Sequence, residues 1–316
     1  MKLWKILTVA LFGAVAVAAQ AANLSIGTGG TGGAYYPLGG GMANLLSNKI
    51  PGTQVAAEVT GGSVDNLKFI KSGKADIGFT MADTAWDAVQ GTDKFQDSKV
   101  NVRTLMALYP NHMQVVTIEG TGINKLSDLK GKRISTGSPG SGTEVMAFRL
   151  LEAVGIDKDK DVKRERLSVA ESVNAMKDKK IDAFLWVSGL PAAAVTDLAA
   201  TPGVKIKLID HAEAADAMNK KYGPLYTKGT IPANAYQGQD KESGNVQVWN
   251  LLVVDEKMNE QLAYNITKLL MENQPELVKV HKEAANITLK AQGPTSPIPY
   301  HAGAKKYFKE KGIAVP

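Results

Sequence analysis

The chain has 316 residues, no cysteine and a formal net charge of +6. Its 44% hydrophobic and 22% charged content excludes a largely disordered chain, and the length suits about two domains. The lack of cysteine excludes a disulfide framework, a thiolate zinc site, an iron–sulfur cluster and a cysteine nucleophile, and the mild basic excess does not point to nucleic acid.

Residues 1–21 read as a secretory signal peptide. Lys2 and Lys5 form a positive start, Ile6 to Ala19 an apolar run, and Ala19-Gln20-Ala21 a small-x-small cleavage site. Cleavage there leaves 295 residues beginning at Ala22 and lowers the charge to +4 by removing two lysines. No later stretch approaches the ~18 consecutive apolar residues of a spanning helix. The expected destination is outside the cytoplasm, in a Gram-negative cell the periplasm, where ATP and NAD are scarce.

Beyond the leader, short apolar runs alternate with helical spacings, the pattern of α/β architecture. Leu24–Thr28 predicts a strand, Tyr36–Ile50 a helix stopped by Pro51-Gly52, and Gln54–Val59 a strand. Ser63 is placed to cap a helix through Lys71, Ala75–Thr80 predicts a strand, and Asp83 is placed to cap a helix through Val89. Arg103–Tyr109 and Met113–Ile118 read as two strand-like runs separated by Pro110. A second series follows: strand Arg133–Thr136, helix Glu144–Val154, helix Glu171–Lys177, strand Ile181–Trp186 and helix Pro191–Ala199 with proline in its first turn. Strands Val204–Ile209 and Val246–Val254 come next, then helices near Asn259–Asn273, Pro275–Asn286 and Gly303–Glu310.

The second series repeats the first. Thr28-Gly29-Gly30-Thr31-Gly32 aligns with Thr136-Gly137-Ser138-Pro139-Gly140 at an offset of 108, and Lys74-Ala75-Asp76-Ile77 with Lys180-Ile181-Asp182-Ala183 at 106. Each unit reads strand, glycine-rich turn, helix, strand, helix, then a strand with an aspartate near its start. Two similar α/β lobes are expected rather than a solenoid.

The densest local signal is Gly27-Thr28-Gly29-Gly30-Thr31-Gly32-Gly33. It contains G-x-G-x-x-G, with Glu58 at the end of the next strand as a ribose-binding acid, but an exported protein meets little NAD. More generally, glycines admit close approach to the backbone, and the helix start behind them offers free N–H groups to an anion such as a carboxylate. Ser138-Pro139-Gly140-Ser141-Gly142-Thr143 repeats this logic with added hydroxyls, so the two loops are expected to face one another across a cleft. Thr60-Gly61-Gly62-Ser63 and Met81-Ala82-Asp83-Thr84 occupy further strand-to-helix turns, where open α/β sheets bind ligands. Tyr35, Tyr36 and Trp186 are placed to wall a pocket. The four histidines, His112, His211, His281 and His301, share no metal-ligand spacing. H-E-x-x-H, G-x-S-x-G and the P-loop are absent. A triad on Ser141 is the one enzymatic alternative. The charged run Asp157 to Arg166 reads as a solvated turn.

Several long segments in order, "IGTGGTGGAYYPLGGGMANLL", "TGGSVDNLKFIKSGKADIGFTMADTAWDA", "LMALYP", "LKGKRISTGSPGSGTEVMAFRLLEAVGI", "KIDAFLWVSGLPAAAVTDLA", Gly229–Asp240 and Pro297–Gly312, resemble the TAXI family, the solute receptors of a class of TRAP transporters. The resemblance spans essentially the whole mature chain. It implies a type II periplasmic-binding-protein fold: two α/β lobes joined by a hinge, with a ligand cleft between them. Lobe 1 is expected from 22–115 and 250–316, lobe 2 from 116–249, with crossings near Met113–Glu119 and Gln247–Val254. It further implies capture of a small carboxylate-bearing ligand, a glutamate-like amino acid or a dicarboxylate, and delivery to a membrane permease by a monomeric receptor without catalysis, cofactor or metal. Ligand contacts carried onto this chain are Gly30, Tyr35, Ser63, Asp83, Thr84 and Ser138, Gly140, Ser141, Gly142 and Thr143, joined by Trp186. Gln114 stands where many relatives carry histidine, no arginine lies at a cleft turn, and Arg149 sits two turns into its helix, pointing away from the helix start. A zwitterionic amino acid therefore fits better than a dicarboxylate. The alternatives are an exported serine hydrolase using Ser141 and a ligand-sensing subunit of a signalling system.

Overall fold

A computed structural model describes residues 22–96 and 98–316; the predicted leader lies outside them. In chain order the first unit runs β1 (Ala22–Gly27), α1 (Tyr35–Lys49), β2 (Thr53–Glu58), α2 (Ser63–Ser72), β3 (Ile77–Met81) and α3 (Ala82–Gln90), followed by the long β4 (Val102–Ile118). The second runs β5 (Arg133–Ser135), α4 (Gly142–Ala153), β6 (Lys163–Glu165), α5 (Val169–Lys177), β7 (Ala183–Ser188), α6 (Ala193–Ala199), β8 (Ile206–Leu208), α7 (Ala214–Tyr222) and β9 (Tyr226–Ile231). The chain ends with the long β10 (Ser243–Asp255), then α8 (Glu260–Glu272), α9 (Gln274–Val280) and α10 (Ala302–Glu310). No described helix is long and apolar enough to cross a membrane.

The ten described strands hydrogen-bond into one sheet in the order β2-β1-β3-β10-β4-β7-β5-β6, with β8 paired to β4 and β9 to β10. This is one strand order used twice. In the first unit β2-β1-β3 are parallel, and an antiparallel β10 separates them from β4. In the second, β6-β5-β7 are parallel, and an antiparallel β4 separates them from β8. β4 and β10 thus pair with strands of both units.

Matching hydrogen bonds carry the repeat to atomic detail. The Asp76 carboxylate accepts the Ser25 N–H at 2.8 Å, as Asp182 accepts the Arg133 N–H at 2.9 Å. The Thr28 N–H reaches the Glu58 carbonyl at 3.0 Å, as that of Thr136 reaches Glu165 at 3.1 Å. Each aspartate ties its own strand to the neighbour that begins the unit, which is why it recurs at the strand start.

Local signals place most elements within a residue or two. The sequence reading lacks α7 and β9, carries the helix from Pro275 on to Asn286 where α9 ends at Val280, and starts α6 at Pro191, which lies outside the helix that begins at Ala193. Three further points differ. Pro110 does not split β4; it stands opposite Trp249, beside a register shift in β10 where the ladder skips, so its missing N–H is tolerated. Ser63 and Asp83 are not caps: they lie inside α2 and α3, whose N-caps are Gly62 and Met81. The charged run near Arg166 contains a short edge strand, β6, paired with β5. Strands β3, β4 and β10 are buried on both faces, as suits sheet centres covered by helices on each side.

Candidate functional site

The strand-to-helix turns of both units converge on one small cavity. Gly29, Gly30, Gly33, Ala34 and Tyr35 come from the β1–α1 turn, and Gly61, Gly62 and Ser63 from the β2–α2 turn. Met81, the N-cap of α3, completes the first unit's wall, with Asn111 of β4 at the base. Opposite stand Ser141, Gly142 and Thr143 at the start of α4 and Trp186, Val187 and Ser188 of β7. The two units touch directly around this space: the Ala34 N–H donates to Ser188 Oγ at 3.3 Å, Asp65 N–H to the Gly140 carbonyl at 3.1 Å, and Ala194 N–H to the Gly32 carbonyl at 3.3 Å.

Four helices, α1, α2, α3 and α4, point their N-termini at the cavity. Each helix start carries roughly half a positive charge, which the first-turn acids Asp65, Asp83 and Glu144 partly offset in α2, α3 and α4. None of the described lining residues is charged, whether lysine, arginine, histidine or acid. Attraction for an anion therefore resides in backbone dipoles, and nothing in the lining opposes it.

Side-chain polarity is set by a small network. Tyr35 donates its hydroxyl proton to Asn250 Oδ1, which also accepts from Asn111 Nδ2 at 2.7 Å. Burial raises the Tyr35 phenol far above its usual range, so it stays a donor. Two buried atoms of the lining lack any partner: Trp186 Nε1, a donor, and Asn111 Oδ1, an acceptor. A buried polar atom without a partner costs about 1–3 kcal/mol.

Of the sequence candidates, Gly30, Tyr35, Ser63, Ser141, Gly142, Thr143 and Trp186 line the cavity. Four do not. Asp83 is fully buried behind it, with Oδ1 on the Thr84 N–H at 2.7 Å and Oδ2 on the Tyr226 hydroxyl at 2.8 Å; Thr84 is buried beside it. Ser138 and Gly140 build the turn from outside: the Ser138 carbonyl accepts from Ser141 Oγ at 2.6 Å, and Gly140 packs on Asp65. Tyr36 points away, 38% exposed. Gly27 lies against Asn66, and Glu58 is exposed, so the G-x-G-x-x-G match marks tight packing rather than a nucleotide turn.

Arg149 leaves the start of α4 as expected and enters a buried acidic cluster. Its guanidinium lies 3.7 Å from Asp83, pairs closely with Asp87, and lies 3.3 Å from Asp93 and 2.9 Å from the Tyr226 hydroxyl. Burial pushes the Asp87 carboxyl up to about 6 against the pull of Arg149. Gln114 lies outside the cavity and accepts the Tyr236 hydroxyl at 2.7 Å. Sequence spacing missed Asn111, Val187 and Ser188, because plain strand residues carry no local mark of the cavity they border.

Ser141 Oγ is committed to helix capping, accepting the Glu144 N–H at 3.0 Å while donating to Ser138. All four described histidines bond elsewhere: His112 to Asn245, His211 to the Ile209 carbonyl, His281 to the Glu283 N–H and His301 to the Gly303 N–H. None of these bonds builds a triad on Ser141.

The NMT1-like family profile matches residues 26–312. Among solved structures, a protein of Bordetella bronchiseptica RB50 is 20% identical with a TM-score of 0.55, over 91% of this chain and 89% of that one. A protein described as a putative L-cystine ABC transporter from Listeria monocytogenes is 15% identical with a TM-score of 0.51, over 84% and 98%. An ancestral arginine-binding protein bound to arginine is 17% identical with a TM-score of 0.50, over 86% and 98%. At such identities the likeness is one of fold: a mixed α/β periplasmic-binding-protein architecture, the class expected from the sequence.

Proposed function

We propose, from the premise that this chain belongs to the NMT1-like family, that it is an extracytoplasmic solute-binding protein for a small carboxylate-bearing ligand. The observation that carries this is the convergence of four helix N-termini on a cavity whose described lining holds no charged side chain. A carboxylate suits the backbone N–H groups, Trp186 Nε1 is a further donor, and Asn111 Oδ1 suits an ammonium or hydroxyl. Together they favour a glutamate-like amino acid over a dicarboxylate.

The motif order shared with TAXI receptors supports delivery to a TRAP-type permease by a monomeric protein exported through its leader. In this reading, residues 22–115 with 250–316 form one lobe and 116–249 the other. β4 and β10 form the hinge, and the ligand bridges the lobes and stabilises the closed form. A thermal-shift panel tests the ligand class: L-glutamate and related amino acids, succinate, a neutral amide and a cationic amino acid. The reading predicts a rise in melting midpoint with the carboxylates that carry an ammonium, smaller for succinate. No response to any small acid refutes it.

A further inference from the structure

Arg149 and its acidic partners lie on opposite units: Arg149 on α4 of the second, Asp83 and Asp87 on α3 of the first, and Asp93 in the short turn after α3. Arg149 is 4% exposed and Asp83 0%; the Asp93 side chain, 38% exposed, marks the edge of the cluster. The second unit adds the Tyr226 hydroxyl and the ring of Tyr222, 4.4 Å from the guanidinium. Nearby, Lys94 of the first unit reaches Glu144 of α4 at 3.4 Å. α3 and α4 are also two of the helices whose starts line the cavity.

We propose that Arg149 is a positioning residue, a latch that holds α3 against α4 when the cavity is closed; this rests on the solute-binding reading above. One guanidinium faces three carboxylates. With the units together, removing the cation leaves buried negative charge without compensation; with the units apart, water solvates those carboxylates. Loss of Arg149 therefore penalises the closed form selectively. The intact set is nearly balanced, because desolvating the charges offsets much of their attraction, so the latch guides the units together without locking them. Ligand release is then governed by α3 and α4 as well as by ligand contacts.

The test compares wild type with Arg149→Met, Arg149→Lys, Asp87→Asn and the combination Arg149→Met with Asp83→Asn and Asp87→Asn. Two readouts are used: the solution radius of gyration without ligand, and L-glutamate dissociation by stopped-flow tryptophan fluorescence. Arg149→Met is expected to enlarge the ligand-free radius and to speed dissociation about tenfold or more with little change in association. Arg149→Lys rescues part of both effects, and the combined variant, stripped of most unpaired buried charge, moves both back toward wild type. If Arg149→Met does not fold, Arg149→Lys, which keeps the charge but loses the planar fork, supplies the same direction with a smaller effect, while Asp87→Asn, which lowers the buried negative charge, leaves both readouts near wild type. An unchanged radius and dissociation rate, or a combined variant no better than Arg149→Met, overturns the latch. The radius needs no ligand: a larger radius without glutamate binding upholds the latch and refutes the ligand reading, and the reverse pattern does the opposite.

Discussion

Replacing Gly142 by alanine adds one methyl group at the first residue of α4, where the two units meet. A Cβ there lies 2.5 Å from Met81 Cε, 2.6 Å from Ser63 Oγ and 3.0 Å from Ser63 Cβ, all on the opposite unit. The methionine tip can swing away and the serine hydroxyl can rotate, but Ser63 Cβ is fixed to α2, so the units must part by a few tenths of an ångström. Overpacking of this kind costs about 1–3 kcal/mol, and because the clash exists only when the units are together, the cost falls on the closed form. At 1.4 kcal/mol per tenfold, glutamate affinity should fall by about five- to 150-fold. Resistance to unfolding is kept once the units part, since alanine is the better helix former. Titration calorimetry measures the affinity and chemical denaturation the stability. Gly40→Ala, on the exposed side of α1 with no atom within 4 Å of the added methyl, reports the helix-propensity gain alone and leaves affinity unchanged. Combining Gly142→Ala with Ser63→Gly should recover part of the loss, a coupling that only direct contact produces. Gly142→Ala with affinity within twofold of wild type would refute the reasoning.

Three further outcomes follow from single contacts. Trp186→Phe removes a donor that has no protein partner, so glutamate affinity should fall by about 1.5–3 kcal/mol while the ligand-free fold loses no hydrogen bond; equal affinity by calorimetry would show that Nε1 does not meet the ligand. Ser141→Ala deletes the α4 N-cap and should cost about 1 kcal/mol in urea unfolding; ester turnover by wild type that this variant abolishes would instead restore the hydrolase reading. His112 of β4 is buried beside β10, where burial lowers its pKa to about 4 against 6.5. The unfolded chain then binds more protons between those values, so the contribution of His112 is complete above about pH 6.5 and is lost as pH falls toward 4, up to about 3 kcal/mol. His112→Gln should flatten that part of the stability–pH curve, and an unchanged slope would count against a neutral buried imidazole.

Local signals made the elements and the repeat legible. Apolar spacing marks strands and helices, and Pro51-Gly52 ends α1 where the spacing stops. The aspartates at 76 and 182 recur because each binds the neighbouring strand's N–H. The glycine-rich starts of α1 and α4 marked two of the turns that line the cavity.

Tertiary structure alone decided how these parts combine. Pro110 reads as a break until β10 sets its bulge opposite it. Asp83 resembles a ligand contact at a cleft turn until Arg149 and Tyr226, 66 and 143 residues away along the chain, claim its carboxylate. Asn111 looks like any strand residue until Asn250, 139 positions later, takes its amide and the fold sets it in the cavity lining. Caps, turns and periodicity act over a few residues, and the sequence records them directly. Which carboxylate meets which guanidinium, and which glycine faces which serine, depends on strand order and on how closely the two units approach.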